Sequence, residues 1–190
     1  MSFDYKRSTP ADIQKKLHEV IEVSKGHLTL ASRALKDVSD TLRPGEHIFA
    51  IGEGLYNLDM WLIVITDLRV ILLSRGFLFG LKTKSIDLSS INGLKSSPGT
   101  IMSTLTIQDG ERNVEIENIH RASAQFLENQ IKACIKARKT GSSAQIVEED
   151  DELAALADLV KKRESRIIND DEFDREKAKI MEKYLASSAN

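Results

Sequence analysis

The chain has 190 residues, of which 41% are hydrophobic and 29% charged, values typical of a globular rather than a disordered protein. The formal net charge of −2 gives no general attraction for nucleic acid, so no nucleic-acid partner is expected. The single cysteine, Cys134, excludes a disulfide framework and a cysteine zinc cluster, and the four histidines lack ligand spacing. We therefore expect no metal and no other cofactor.

Charge is divided unevenly along the chain. Residues 1–144 carry 19 basic and 16 acidic side chains (net +3), whereas residues 145–190 carry 8 and 13 (net −5). This contrast favours two modules. The apolar runs are far shorter than the ~20 residues that span a bilayer, and the polar N-terminus lacks the apolar core of a signal peptide. We expect a cytoplasmic protein.

Residues 1–41 are predicted to form an N-terminal helical segment. Ile13, Leu17 and Val20 recur at helical spacing after Thr9-Pro10, a suitable cap and first helical residue. Gly26 interrupts the pattern, and a second helical pattern runs over 28–38. It ends before the breaker Arg43-Pro44-Gly45. The pattern leaves open whether this segment packs on the core or forms an exchangeable arm.

The stretch Asp59–Ser74, DMWLIVITDLRVILLS, is the centre of the predicted sheet. Apolar residues fill both alternating faces of its first run, which favours a strand buried on both sides. Asp67 favours a tight turn before the second apolar run, so the stretch predicts a β-hairpin. Period-two patterns predict further strands over 46–53, 77–81, 83–88, 91–95 and 101–107, and a strand returning through 114–116 after Asp109-Gly110. Gly52 and Gly54 are expected to loosen the end of the strand over 46–53.

About seven short strands favour an antiparallel barrel or sandwich, an α+β fold once the helices are added. An amphipathic helix follows, with Ile119, Phe126, Leu127, Ile131 and Cys134 on its apolar side. Residues 139–151 form a polar, acidic linker. Beyond the linker, two apolar patterns predict a C-terminal helical hairpin, and Asn169 with Glu172 forms a capping-box pattern.

Two parts of the chain resemble known families. The first resemblance is carried by four stretches: Leu42-Arg43-Pro44-Gly45-Glu46, LIVITDLRVILLS, Lys84–Ile91 and the final helix. They make residues 42–138 similar to a bacterial pleckstrin-homology (PH) domain. That resemblance implies two near-orthogonal antiparallel sheets capped by a C-terminal helix. Residues 152–186 resemble the short C-terminal (SHOCT) domain, through Leu153–Leu159 and Ile167–Asp174 with Lys177. Neither family implies catalysis; both imply binding or assembly.

No catalytic motif is present, and a buried, inert Cys134 is the favoured interpretation over a nucleophile. In eukaryotic PH domains, basic residues between the first strands bind inositol phosphates. The corresponding turn here, 53–59, is acidic, so that role does not carry over. The anionic-surface candidates are instead Arg75, Lys82 and Lys84, weighed against a solvated strand face.

The leading hypothesis is a non-enzymatic interaction and assembly protein that associates with itself or with another protein through its C-terminal hairpin. Two short helices bury too little apolar surface to be stable alone, which motivates docking. The partner-docking candidates are Leu153, Leu156, Val160, Ile167, Ile168, Phe173, Ile180 and Tyr184. The alternative is a peripheral binder of an anionic membrane surface or ligand.

Overall fold

The structure, a computed structural model, describes residues 3–26, 28–76, 80–140, 159, 169 and 172–179. The chain divides into two compact units, Met1–Ile146 and Val147–Asn190. The elements of the first unit are helix α1 (Pro10–Val23), a 3-10 helix (Leu30–Asp37), helix α2 (Val38–Thr41), strands β1 (Ile48–Tyr56), β2 (Asp59–Thr66), β3 (Arg69–Arg75), β4 (Leu81–Asp87), β5 (Ile91–Pro98), β6 (Met102–Asp109) and β7 (Arg112–His120), and helix α3 (Arg121–Thr140).

The strands form an antiparallel sheet in the order β4-β3-β2-β1-β7-β6-β5. β1 joins β7 through a single register pair, Leu55 with Glu117, so two ladders meet at one narrow junction. The predicted α+β class, with about seven antiparallel strands and a capping C-terminal helix, is confirmed in this unit. β4 and β5 are the edge strands of the sheet as described.

The central hairpin is confirmed as β2 and β3, and β2 is buried on both faces. Trp61, Ile63 and Ile65 belong to an inner core shared with α3. Leu62 and Val64 belong to a second, outer core. We call the sheet face toward α3 the inner face and the opposite one the outer face.

The N-terminal segment covers the outer face. Leu17 and Val20 of α1, together with Ala31 and Ala34 of the 3-10 helix, share the outer core with Leu62 of β2. This answers the question that the sequence left open, because these helices pack on the sheet and complete its second layer. Sheet faces of this kind are stable only when both apolar sides are covered.

The second N-terminal helix differs from the regular helix suggested by the pattern over 28–38, because most of it is 3-10. A 3-10 helix places residues i and i+3 directly above one another. The small buried residues Ala31 and Ala34 have that spacing and let the backbone approach the sheet. The predicted cap of α1 is confirmed, since the Asp12 N–H donates to Thr9 Oγ1 at 3.2 Å.

Gly52 and Gly54 do not end the first strand, as the pattern had suggested, but lie inside β1 on the inner face. A Cβ on Gly54 would come within 2.6 Å of Ile116 Cγ2 and 2.8 Å of Ile119 Cγ1. A Cβ on Gly52 would meet Leu127 Cδ1 of α3 at 2.9 Å. The glycines therefore allow the close approach of β7 and α3 that closes the inner core.

Other predicted bounds shift by a few residues. Ile119 lies within β7, which ends at His120, rather than beginning the helix. Residues 81–87 form one strand where two were predicted. Residues 77–79 lie outside the described residues. α3 continues to Thr140, into the range predicted as linker, and its buried side carries Phe126, Leu127, Ile131 and Cys134 as predicted.

Candidate functional site

The three predicted anionic-surface residues lie at one end of the β3–β4 ladder but on different faces of the sheet. Lys84 opposes Leu72 and Lys82 opposes Ser74, whereas Arg75 opposes Leu81. Antiparallel partners point to the same face and neighbours along a strand alternate. Lys82 and Lys84 therefore lie on the inner face, and Arg75 lies on the outer face. The structure does not bring the three cations together in one patch.

Arg75 is held by the N-terminal layer. Its Nε donates to Asp37 Oδ2 at 2.7 Å, and a terminal nitrogen of its guanidinium donates to Asp37 Oδ1. The hydrogen bonds to Asp37 raise the pKa of Arg75. This two-point contact joins β3 to the end of the 3-10 helix, so one role of Arg75 is structural.

Lys82 and Lys84 also have partners. Lys82 Nζ donates to Asp59 Oδ2 at 2.6 Å, and Lys84 Nζ lies 5.7 Å from the centre of the Tyr56 ring. The Lys82 and Asp59 side chains are 42% and 47% exposed, so their ion pair is weak and open to competition by another anion. Contact of these residues with an anionic surface stays a prediction.

The Thr66-Asp67-Leu68-Arg69 motif, which carried part of the family resemblance, forms a buried polar network. Arg69 donates from Nε to Glu46 Oε1 and from a terminal nitrogen to Glu46 Oε2, both at 2.9 Å. Thr66 Oγ1 donates to Glu46 Oε1 at 2.8 Å. Asp67 accepts the His47 N–H at 2.9 Å. The motif therefore holds the β2–β3 turn against the start of β1.

The sequence analysis named Glu46 only as the last residue of the Leu42–Glu46 stretch and gave it no role of its own, although its side chain is fully buried. Burial opposes its charge, but hydrogen bonds from Arg69, the Arg43 N–H and Thr66 outweigh burial and hold the pKa of Glu46 below its usual value. The only available signal was its place directly after Pro44-Gly45. A carboxylate so fully engaged by the fold is a structural element.

Cys134 is fully buried in the inner core. Desolvation by burial, with a smaller contribution from the charge of Asp67, raises the pKa of its thiol to about 12. A thiol in this state has almost no reactive thiolate at neutral pH. Among the residues that the structure describes, no group of three or more His, Cys, Asp or Glu side chains could hold a metal ion.

The turn between β1 and β2 is tighter than the predicted 53–59. Tyr56 pairs with Asp59, so only Asn57 and Leu58 form the loop. Both have positive φ, 50° and 64°, and Leu58 is 93% exposed. Glu53 lies within β1 and accepts the Thr29 N–H at 2.8 Å. This acidic residue therefore anchors the N-terminal segment instead of lining a loop.

A groove that sequence reasoning missed lies between α1 and the 3-10 helix, with Arg75 at its edge. Its volume is about 560 Å³. The groove arises from tertiary packing. Its two walls are separated along the chain by a loop, and the distance between them is set by the packing of both helices on the outer face of the sheet. No residue spacing along the chain indicates it.

The second unit is described at ten positions. Asn169 and Glu172 form the predicted capping box, since the Glu172 N–H donates to Asn169 Oδ1 at 2.8 Å and the Asn169 N–H donates to Glu172 Oε2 at 3.1 Å. Phe173 is buried, and Lys177 Nζ lies 5.9 Å from its ring centre. The other docking candidates lie outside the described residues: Leu153, Leu156, Val160, Ile167, Ile168, Ile180 and Tyr184.

In the described part of the chain, no helix is both long and apolar enough to cross a membrane.

Comparison with known proteins gives one match to a family model. Residues 42–133 match the family model described as the bacterial PH domain. No curated protein matches the chain.

Two solved structures are similar. One is a pleckstrin homology domain from Shewanella amazonensis SB2B, with 16% identity, 46% of this chain and 81% of that chain covered, and a TM-score of 0.34. The other is a DUF1696 family protein with a pleckstrin-homology domain from Shewanella loihica PV-4, with 16% identity, 50% and 84% covered, and a TM-score of 0.32. These low scores carry no argument, so the assignment rests on the family model. That model covers residues 42–133, which contain the seven strands described above and the first part of α3.

Proposed function

We propose that this protein is a non-enzymatic interaction and assembly module of the cytoplasm. In this proposal the PH domain is a scaffold, and the C-terminal unit, as a SHOCT-like hairpin, docks on a second copy or on another protein. The family match supports a binding module in general terms. The contacts of Arg69, Glu46 and Cys134 support the non-enzymatic part, because each of these groups is engaged or buried by the fold.

The small apolar content of the described C-terminal helical stretch is the observation that carries the docking proposal. Phe173 is 7% exposed, whereas residues 172 and 174–179 of the same helical stretch are exposed. A helix of this length is marginal in water, and a capping box adds only about 1 kcal/mol. A stretch with one buried aromatic residue and exposed residues around it buries too little apolar surface to be stable by itself, and this favours docking of the second unit on a partner.

Static light scattering of the full-length protein over a range of concentrations tests self-association. We expect a mass above the 21.2 kDa of one chain that falls toward 21.2 kDa in the Phe173→Ser variant. Arg175→Ser, at an exposed position two residues further on, is the matched control and should keep the wild-type mass. A full-length mass of 21.2 kDa at every concentration would contradict self-association.

The second candidate is peripheral binding to an anionic membrane surface, and the exposed Lys82–Asp59 pair favours it. Lys82 has a carboxylate partner that a lipid phosphate could replace. Sedimentation with vesicles should then increase with the fraction of anionic lipid, decrease with salt, and weaken in Lys82→Gln and Lys84→Gln. No sedimentation at low salt would rule this candidate out.

A further inference from the structure

We propose that the groove between α1 and the 3-10 helix binds a small anionic amphiphile, a fatty-acid-like carboxylate with an apolar chain. Its volume of about 560 Å³ lies within the range of roughly 300–1,000 Å³ typical of small-molecule sites. Apart from Arg75, its lining residues precede residue 42 and therefore lie outside the matched PH domain. The site is thus an addition of the N-terminal segment.

The floor of the groove is apolar. Leu17 is buried, and Ile13 and Leu35 are half-buried and pack against the outer core. Pro10 extends the same wall at the start of α1. A surface of this kind, open on one side, gains free energy when an apolar chain covers it.

The charged residues that line the groove are all basic. Arg33, Lys36 and Arg75 line the groove, and no carboxylate is among its described lining residues. Arg75 is already paired with Asp37. Lys36 is exposed and has no ion pair among the residues that the structure describes, so its ammonium is available to an anion.

Two uncharged polar side chains of the lining, those of Ser32 and His18, are already engaged by nearby backbone carbonyl groups. Ser32 Oγ donates to Thr29 O at 2.7 Å, and His18 Nδ1 lies 2.8 Å from Gln14 O. An apolar floor beneath a cationic rim selects a ligand with an apolar body and one anionic head, and a carboxylate suits both ammonium and guanidinium donors.

Isothermal titration of the full-length protein with dodecanoate, below its micellar concentration, tests the proposal. We expect one site per chain and much weaker binding of the neutral dodecanol. Lys36→Gln should weaken dodecanoate binding roughly tenfold, as loss of one charge-assisted contact does. Lys15→Gln, on α1 but outside the groove lining, is the matched control and should bind as the wild type does.

A variant that fills the groove gives an independent readout. Ser32 is exposed at the groove, so Ser32→Trp should keep the wild-type circular dichroism spectrum and melting temperature while abolishing dodecanoate binding. Three results would overturn the proposal: no saturable dodecanoate binding, equal binding of dodecanol, or equal effects of Lys36→Gln and Lys15→Gln. Association with anionic vesicles in the absence of a one-to-one dodecanoate complex would also overturn it, in favour of a membrane surface.

Discussion

Replacing Arg69 by methionine should destabilise the first unit more than any surface charge change. Arg69 donates two hydrogen bonds to Glu46, one to Thr41 O at 3.0 Å and one to Ser85 Oγ at 3.2 Å. Methionine keeps most of the apolar stem but none of these donors. Glu46, whose side chain is fully buried, would keep only Thr66 and the Arg43 N–H as partners.

The expected loss in the free energy of unfolding follows from leaving the buried Glu46 carboxylate without its counter-charge. Removing one member of a buried pair typically costs about 3–5 kcal/mol. A typical domain has a free energy of unfolding of about 5–15 kcal/mol, so the variant should fold but be clearly less stable. The double variant Glu46→Leu with Arg69→Met removes both charges and should recover most of the loss, since apolar replacement of a whole buried pair is often neutral.

Urea unfolding followed by the fluorescence of Trp61, the only tryptophan, measures both effects. Lys132→Met is the control, because the Lys132–Glu128 contact of 2.7 Å is on a helix surface where the Lys side chain is 58% exposed. It should cost no more than about 0.5 kcal/mol. The reasoning is refuted if Arg69→Met costs no more than Lys132→Met, or if the double variant is as unstable as the sum of the two single variants.

Three further predictions concern Glu46, Leu58 and Cys134. The pKa of Glu46 is lower in the folded than in the unfolded protein, so its contribution is complete above the unfolded pKa and is lost as pH falls through the folded pKa. Urea unfolding at pH 3–7 should therefore show that the free energy of unfolding decreases toward acid pH, and that this decrease is smaller in Glu46→Gln. An equal decrease in both proteins would contradict this. Leu58→Gly should raise stability by about 1 kcal/mol in thermal unfolding, because leucine is unfavourable at φ 64° and its 93% exposed side chain loses little packing. Leu30→Gly, exposed but within the 3-10 helix, should instead lower stability. Iodoacetamide at pH 8 should modify Cys134 at least ~100-fold more slowly in the native protein than in urea, because the thiol is buried and its pKa is raised to about 12. Comparable rates would show an accessible thiol.

Local sequence patterns were sufficient to predict features whose physical cause lies within a short stretch of chain. The two-faced apolar run of β2, the Thr9 cap of α1 and the Asn169–Glu172 capping box depend on residues a few positions apart, and each was predicted correctly. The apolar side of α3 follows from a 3.6-residue period in the same way. Such features need no knowledge of distant contacts.

Features that depend on distant packing were missed or misplaced. Gly52 and Gly54 were interpreted as strand-end residues because only the tertiary structure places α3 and β7 against them. The 3-10 form of residues 30–37 likewise results from packing small residues against the outer face of the sheet. In both places the spacing between elements, and not local preference, decided the conformation.

The sequence by itself determined the strand and helix pattern, the family resemblance of the central region and the positions of the basic residues. Only the tertiary structure decided where those basic residues lie relative to one another. It separates Arg75 from Lys82 and Lys84 because alternate residues of a strand point to opposite faces. It also joins Arg75 to Lys36, thirty-nine positions earlier in the chain, along one groove. A cationic site is defined by distances in space, and those distances are set by the packing of the N-terminal segment on the sheet.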